Sequence, residues 1–288
     1  MCINRSVIQR VTRATLLRNF TQQQLKDKGY PFHVLSVFNG QLLISSSVLK
    51  ELYVLSENGD LLSTLKVTDF LMDASWTPRG NIVYTTWHSK KVVAMSRSGT
   101  AISQTQMTDP RLLSVSTDDV IYLADWESGV YESTDDGATW SKVFQSPDGG
   151  KCWQVIKVKT NDNCDDFWTL ETDNKDKWRV RVYSVNRRRA ENVTWRDVAV
   201  TTSDGKQVGL GILSRLALDG HTNIFLSELN NQAVHVLSSS GGYERQLLSS
   251  DHFVYPWRLA VDRERHLLYV GQEWGKVGVF TMTYENER

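Results

Sequence analysis

The feature that most constrains this chain is a phrase it repeats in degenerate form. Its clearest copy runs Pro256-Trp257-Arg258-Leu259-Ala260-Val261-Asp262, through Leu268-Tyr269-Val270, to Lys276-Val277-Gly278-Val279-Phe280. Three signals recur: an opening segment, a short apolar second run, and a third run ending in a turn. Opening segments begin at Pro31, Leu71, Pro110, Cys152, Leu213 and Pro256, which makes six units. Second runs such as Ile82-Val83-Tyr84, Ile121-Tyr122-Leu123 and Ile224-Phe225-Leu226 are rich in β-branched and aromatic residues, as strands prefer. Third runs, among them Val92-Val93-Ala94 and Val180-Arg181-Val182, are followed in four units by a spaced Ser or Thr and Gly: Ser56 with Gly59, Ser96 with Gly99, Thr134 with Gly137, Ser238 with Gly241. A Gly at that offset supplies the positive φ of a tight hairpin turn.

Repeats of roughly 40 residues built from short strands cannot bury their own faces and must stack on their neighbours. Six four-stranded antiparallel units in series predict an all-β fold, a six-bladed β-propeller. The blades are expected at about 31–67, 71–107, 110–146, 152–200, 213–248 and 256–283. The sixth unit ends after its third strand. The β-compatible stretch Val11 to Phe20 is the right length to supply the fourth, closing the ring.

Composition fits one domain over 1–288, with no Pro/Ser/Gly-rich linker dividing it. Lysine plus arginine equal aspartate plus glutamate at 33 each, so no global field draws in nucleic acid or acidic membranes. No apolar run approaches the length of a membrane span, and the first residues lack a signal-peptide core. Cys152 and Cys164 flank one inner strand, about 20 Å apart at strand rise, too far for a disulfide. A cytoplasmic or nuclear location is the expectation, with no cofactor and no metal.

Ser133-Thr134-Asp135-Asp136-Gly137-Ala138-Thr139-Trp140 resembles the Asp-box of sialidase-type propellers. Ser133, Asp135, Gly137 and Trp140 are expected to form a structural turn, the aspartate bonding local backbone and the tryptophan plugging the sheet. The arginine cluster and tyrosine nucleophile that sialidase chemistry needs are not identifiable.

The phrase Pro-x-x-Leu-Ala-Val-Asp, a short apolar strand, then Gly-Lys-Val-x-Val-Phe, together with its echo from Leu216 to Val236, resembles the NHL repeat. The best known members of that family are the propellers that end tripartite-motif proteins, where they recruit protein or RNA partners for a ubiquitin ligase module. No RING or B-box pattern of Cys and His and no heptad segment accompanies the repeats, so ligase activity is not implied.

In this topology the loops entering each inner strand and those joining second to third strands emerge on one face. That face collects Phe32, His33, Asp73, Trp87, His88, Arg111, Asp125, Trp126, Trp153, Arg215, Glu228, Trp257, Arg258, Glu273 and Trp274. Large rigid rings beside arginine are what interfaces use as anchors. The expectation from sequence is therefore a non-catalytic platform for a protein or peptide partner, and no enzyme.

Two competing readings use the same scaffold. Single-stranded RNA could stack on the aromatics, although carboxylates match cations there and phosphate contacts require excess positive charge. Alternatively, six-bladed propellers of the gluconolactonase and paraoxonase type hold a calcium ion in the channel with Glu, Asn and Asp and polarise an ester or lactone. By position the candidates for that role are Asp73, Glu228 and Asn230.

Overall fold

A computed structural model describes residues 9–21, 32–46, 49–116, 118–159, 164–173, 177–186, 193–198, 213–219, 223–239, 242–252, 255–272 and 276–286. Twenty-four strands and no helix occur among them. The chain opens with β1 (Gln9–Thr21). The first blade follows as β2 (Phe32–Phe38), β3 (Gln41–Ser46), β4 (Glu51–Leu55) and β5 (Leu61–Lys66), and the second as β6 (Leu71–Trp76), β7 (Ile82–Thr86), β8 (Lys91–Met95) and β9 (Ala101–Gln106). The third is β10 (Pro110–Val115), β11 (Ile121–Asp125), β12 (Gly129–Ser133) and β13 (Ser141–Phe144); the fourth is β14 (Lys151–Lys159), β15 (Cys164–Thr172), β16 (Trp178–Asn186) and β17 (Val193–Val198). The fifth is β18 (Leu213–Leu218), β19 (Asn223–Glu228), β20 (Ala233–Ser238) and β21 (Tyr243–Leu248). The sixth contains β22 (Pro256–Asp262), β23 (Leu267–Gln272) and β24 (Lys276–Asn286), with β1 as its outer strand in the order β1-β24-β23-β22.

Five sheets are antiparallel meanders, the sixth is completed by β1, and together they form the β-propeller. Why the second strands read as continuous apolar runs is visible in the packing: every one of them is covered on both faces. Along β3, Leu42 and Ile44 face the sixth blade while Leu43 faces the second, the period-two alternation of a strand sandwiched between sheets. The six apolar clusters fall one to each junction between neighbouring blades.

Closure works as the strand count requires. β1 pairs with β24 from Gln9↔Asn286 to Thr21↔Lys276. Val11 is fully buried in the cluster shared by the fifth and sixth blades. Side-chain bonds extend the seam to both neighbours: the Val11 amide donates to Asn223 (3.2 Å), Arg245 donates to the Thr12 carbonyl (2.9 Å), and Arg18 donates to Asn58 (3.0 Å).

The turn from β12 to β13 holds the Asp-box residues. Asp135 accepts the Thr139 amide (2.8 Å) and hydroxyl (2.6 Å), and Ser133 accepts the Gly137 amide (3.0 Å). The hydroxyl that caps this turn is that of Ser133, one residue before the Thr134 expected from spacing. Gly137 has φ of 87°, and a Cβ there would stand 3.2 Å from Val83 of the neighbouring blade, so conformation and space both require glycine. Trp140 Nε1 closes the turn on the Gly137 carbonyl (3.2 Å), and Asn81 of the second blade donates to Asp136 (2.6 Å). Donors from Thr139 above all hold the Asp135 carboxyl down at about 2, outweighing burial, which acts the other way.

Candidate functional site at the propeller axis

Most inner strands begin with an irregularity. In β6, β14, β18 and β22 the register shifts between Leu71/Asp73, Cys152/Gln154, Leu213/Arg215 and Pro256/Arg258. Such bulges re-aim the side chains that follow them, and here those residues lace the ring together. Gln154 accepts the Leu216 amide (2.6 Å) and donates to the Leu216 carbonyl (2.8 Å), tying the fourth blade to the fifth. Asp73 Oδ2 accepts the Leu113 amide (2.8 Å), tying the second to the third.

Longer reaches cross the axis. Arg215 Nη1 donates to Asp73 Oδ2 at 2.6 Å, joining the fifth blade to the second, its opposite number in a six-fold ring. Arg215 Nη2 also donates to the Leu113 carbonyl (3.3 Å). Arg258, from the sixth blade, donates to the Met72 carbonyl at 3.1 Å. Asp73, Arg215 and Arg258 are 0 %, 4 % and 6 % exposed, so this triad belongs to the interior. Burial pulls the Arg258 guanidinium down to about 10; Asp73 opposes that pull and Arg215 adds to it.

Of the triad, Arg215 lines a cavity of about 390 Å³. Arg215, Leu113 and Gln154 form its depth, Ser36, Ser75 and Ser114 stand along its walls, and Asp119, Asp262 and Glu264 lie toward its rim. The remaining lining comes from inner-strand residues such as Ile156, Leu216 and Leu259 and from turns between first and second strands, such as Asn39-Gly40 and Thr77-Pro78. The cavity therefore opens opposite the face on which the sequence places binding.

On that other face, four of the expected residues meet. The Arg111 guanidinium lies 5.3, 5.0 and 5.1 Å from the ring centres of Trp87, Trp126 and Trp153, within cation–π range, and pairs with Asp109 at 2.5 Å. Trp126 and Trp153 meet edge to face at 5.7 Å, and Trp87 remains 54 % exposed.

Other expected residues are engaged locally. Asp125 accepts the amides of Thr108 (3.1 Å), Asp109 (2.9 Å) and Ser128 (3.0 Å), stapling the loop into its own blade. Glu228 meets His235 Nε2 at 2.9 Å and accepts Asn231 (2.8 Å). His88 stands 3.6 Å from Asp69 and packs edge to face on Phe70. The Asp69 carboxyl is held at about 2: burial raises it, but donors from Ser89 and Phe70, with His88, outweigh that. Trp257 is half-exposed, its carbonyl accepting Ser214 Oγ. The side chains of Phe32 and His33, and Glu273 and Trp274 entirely, lie outside the described residues.

Sequence reasoning missed a buried network in the fourth blade. Arg181, 1 % exposed, donates to Asp148 (3.0 Å) and Asp197 (2.7 Å) and lies 3.6 Å from Glu171, which also meets Arg179 at 3.2 Å. These partners raise the Arg181 guanidinium and hold Asp148 well below the usual carboxylate range, in each case against the cost of burial. The available signal was Arg181 itself, a charge inside the apolar third run.

Calcium fits none of this. Among the described residues no group of three or more His, Cys, Asp or Glu side chains could hold a metal. Asp73 shares its setting with two cations, Glu228 is committed to His235 and Asn231, and Asn230 is exposed in a turn.

The fold and site define a six-bladed β-propeller with a charged, laced axis and a cavity at one mouth. No family model matches the chain, and no curated protein matches it. Solved structures do. A gluconolactonase from Xanthomonas campestris matches with TM-score 0.68 at 14 % identity, covering 96 % of each chain. A second protein, described as a putative gluconolactonase, gives 0.65 at 14 % identity, over 96 % of this chain and 94 % of that one. Virginiamycin B lyase from Staphylococcus aureus gives 0.58 at 11 % identity, over 94 % of this chain and all of that one. At such identities the likeness defines the fold. It also corrects the expectation of a non-catalytic partner platform: the gluconolactonase and lyase structures that share this architecture are propellers named as enzymes. The physical reason for the misreading lies in the aromatics, of which Trp87, Trp126 and Trp153 surround the protein's own Arg111.

Proposed function

We propose that this propeller is a hydrolase acting on an ester or lactone bound in the axial cavity, built from repeats of NHL type. The observation that carries the reading is Arg215, which lines the cavity while its guanidinium pairs across the axis with the buried Asp73. A guanidinium fixed by a buried carboxylate is a preorganised donor, and such donors act where negative charge develops on a carbonyl oxygen. Arg215 would meet that oxygen; Asp73 is the positioning residue behind it. Gln154 and the wall serines Ser36, Ser75 and Ser114 present hydrogen-bonding groups for a polyhydroxylated ring.

In hydrolysis, the oxygen of water bonds to the carbonyl carbon, the ring C–O bond breaks, and the departing alkoxide takes the proton that water gives up. A hydroxy acid results. Elimination, the reaction class of a lyase, would instead take a proton from carbon and consume no water. The chain should be incubated with a panel of sugar lactones, simple esters and a cyclic depsipeptide, with products read by mass. A product heavier by one water is expected, and Arg215→Met should lower kcat/KM about 100-fold. An isomeric product would replace hydrolysis by elimination; no consumption above the buffer rate would overturn the reading.

A further inference from the structure

The axial triad carries more cations than carboxylates. Asp73 pairs with Arg215, and Arg258 lies near both with no ion pair of its own among the described residues. Two buried atoms are left unmatched: Arg258 Nε, a donor, and Asp73 Oδ1, an acceptor. Folded proteins rarely leave either, because a buried charged group without partners forfeits its hydration for nothing. An anion would answer the extra guanidinium, but a bare carboxylate would be repelled by the free oxygen of Asp73. A hydroxyl beside the carboxylate resolves that conflict, since it donates where the carboxylate accepts.

We propose that the centre of the channel is a binding site for a small hydroxy-carboxylate, its carboxylate held by Arg258 and Arg215 and its hydroxyl donating to Asp73 Oδ1. Arg215 lines the cavity, which gives the ligand its way in. The inference deepens the hydrolase reading, because a hydroxy acid is what lactone opening yields, and it rests on that reading only for the idea that the bound acid is a product. It also reverses the charge expected of the occupant: the axis takes an anion, where a calcium site would take a cation.

The test is thermal melting of the full chain in sodium lactate, sodium acetate, sodium chloride and calcium chloride at equal ionic strength. Lactate should raise Tm by several degrees, as a ligand of the folded state must. Acetate should raise it less, and calcium no more than the sodium chloride control. Arg258→Met should lose the lactate response, and without lactate it should melt close to the parent, because the buried cation it removes shares a single carboxylate with Arg215. Arg258→Lys, which keeps the charge, should retain a weakened response and serves as the reading if the methionine variant folds poorly. Equal shifts in all salts, no lactate shift, a calcium-specific rise, or a full lactate response in Arg258→Met would each overturn the site. A lactate shift without turnover of any ester would keep the site and remove the hydrolase reading; turnover without a lactate shift would do the reverse.

Discussion

Two regions of this propeller bury arginine, and they handle its charge in opposite ways. In the fourth blade Arg179 and Arg181 face Asp148, Glu171 and Asp197, so both cations are answered by carboxylates within the blade. At the axis Arg215 and Arg258 share Asp73 alone. The first arrangement holds a sheet together. The second leaves an electrostatic demand that no side chain among the described residues meets, and it leaves it beside a cavity. Burial of charge by itself therefore says little about function; the discriminating quantity is whether the charges close locally.

Removing a cation should separate the two most sharply. Arg181→Ala strands Glu171 and Asp148 and should cost about 3–5 kcal/mol in urea unfolding, the usual range when one member of a buried pair is lost. A loss below about 1 kcal/mol would mean the fourth-blade network is as dispensable as a surface pair. Removing the shared anion comes next. Asp73→Asn leaves Arg215 and Arg258 with no carboxylate between them, which should cost about 2–3 kcal/mol; hydrogen bonds through the asparagine oxygen prevent a larger loss.

Acid should test the fourth-blade network directly. The Asp148 carboxyl is depressed in the folded state, so its contribution is fully present above the unfolded value of about 4 and drains away as pH falls toward its lower folded value. Stability should therefore fall on acidification below about pH 4, and Arg181→Ala should flatten that fall. A profile identical in parent and variant would remove Asp148 from the network. The smallest effect is expected away from both regions: Asp135→Ala should cost about 1 kcal/mol, the common value of a lost turn or cap bond. That loss should vanish as pH approaches 2, where the parent's own carboxyl protonates.

The architecture was legible because each second strand is apolar on both faces, which leaves little choice but sandwiching between sheets. β1 was legible by counting, since the unit ending in Val277-Gly278-Val279-Phe280 lacked a strand and Val11 to Phe20 was unassigned. The site was legible only as a set of residues. Asp73 and Arg215 stand 142 positions apart, and nothing local to either says that ring closure sets them across the axis. Acids at second-strand ends read as free lining, yet Asp125 caps amides of the loop feeding its own blade, a use that needs only reach and no signature in sequence. The expectation of a partner platform has a related cause: tryptophan beside arginine is the vocabulary of interfaces, and here the rings of Trp87, Trp126 and Trp153 gather on the protein's own Arg111.

The pairing of β1 with β24 has a consequence for how the molecule comes to exist. Gln9 meets Asn286, so the last seam to form joins residues from nearly opposite ends of the chain. Closing so long a loop delays that contact relative to the local meanders, each of which needs only a short turn. Five blades can thus assemble as an open crescent while the sixth waits for its outer strand. Until that strand docks, the sixth blade lacks its outer edge and the ring is open at one seam, while blades two to five, which carry Asp73 and Arg215, are already joined by their own apolar junctions.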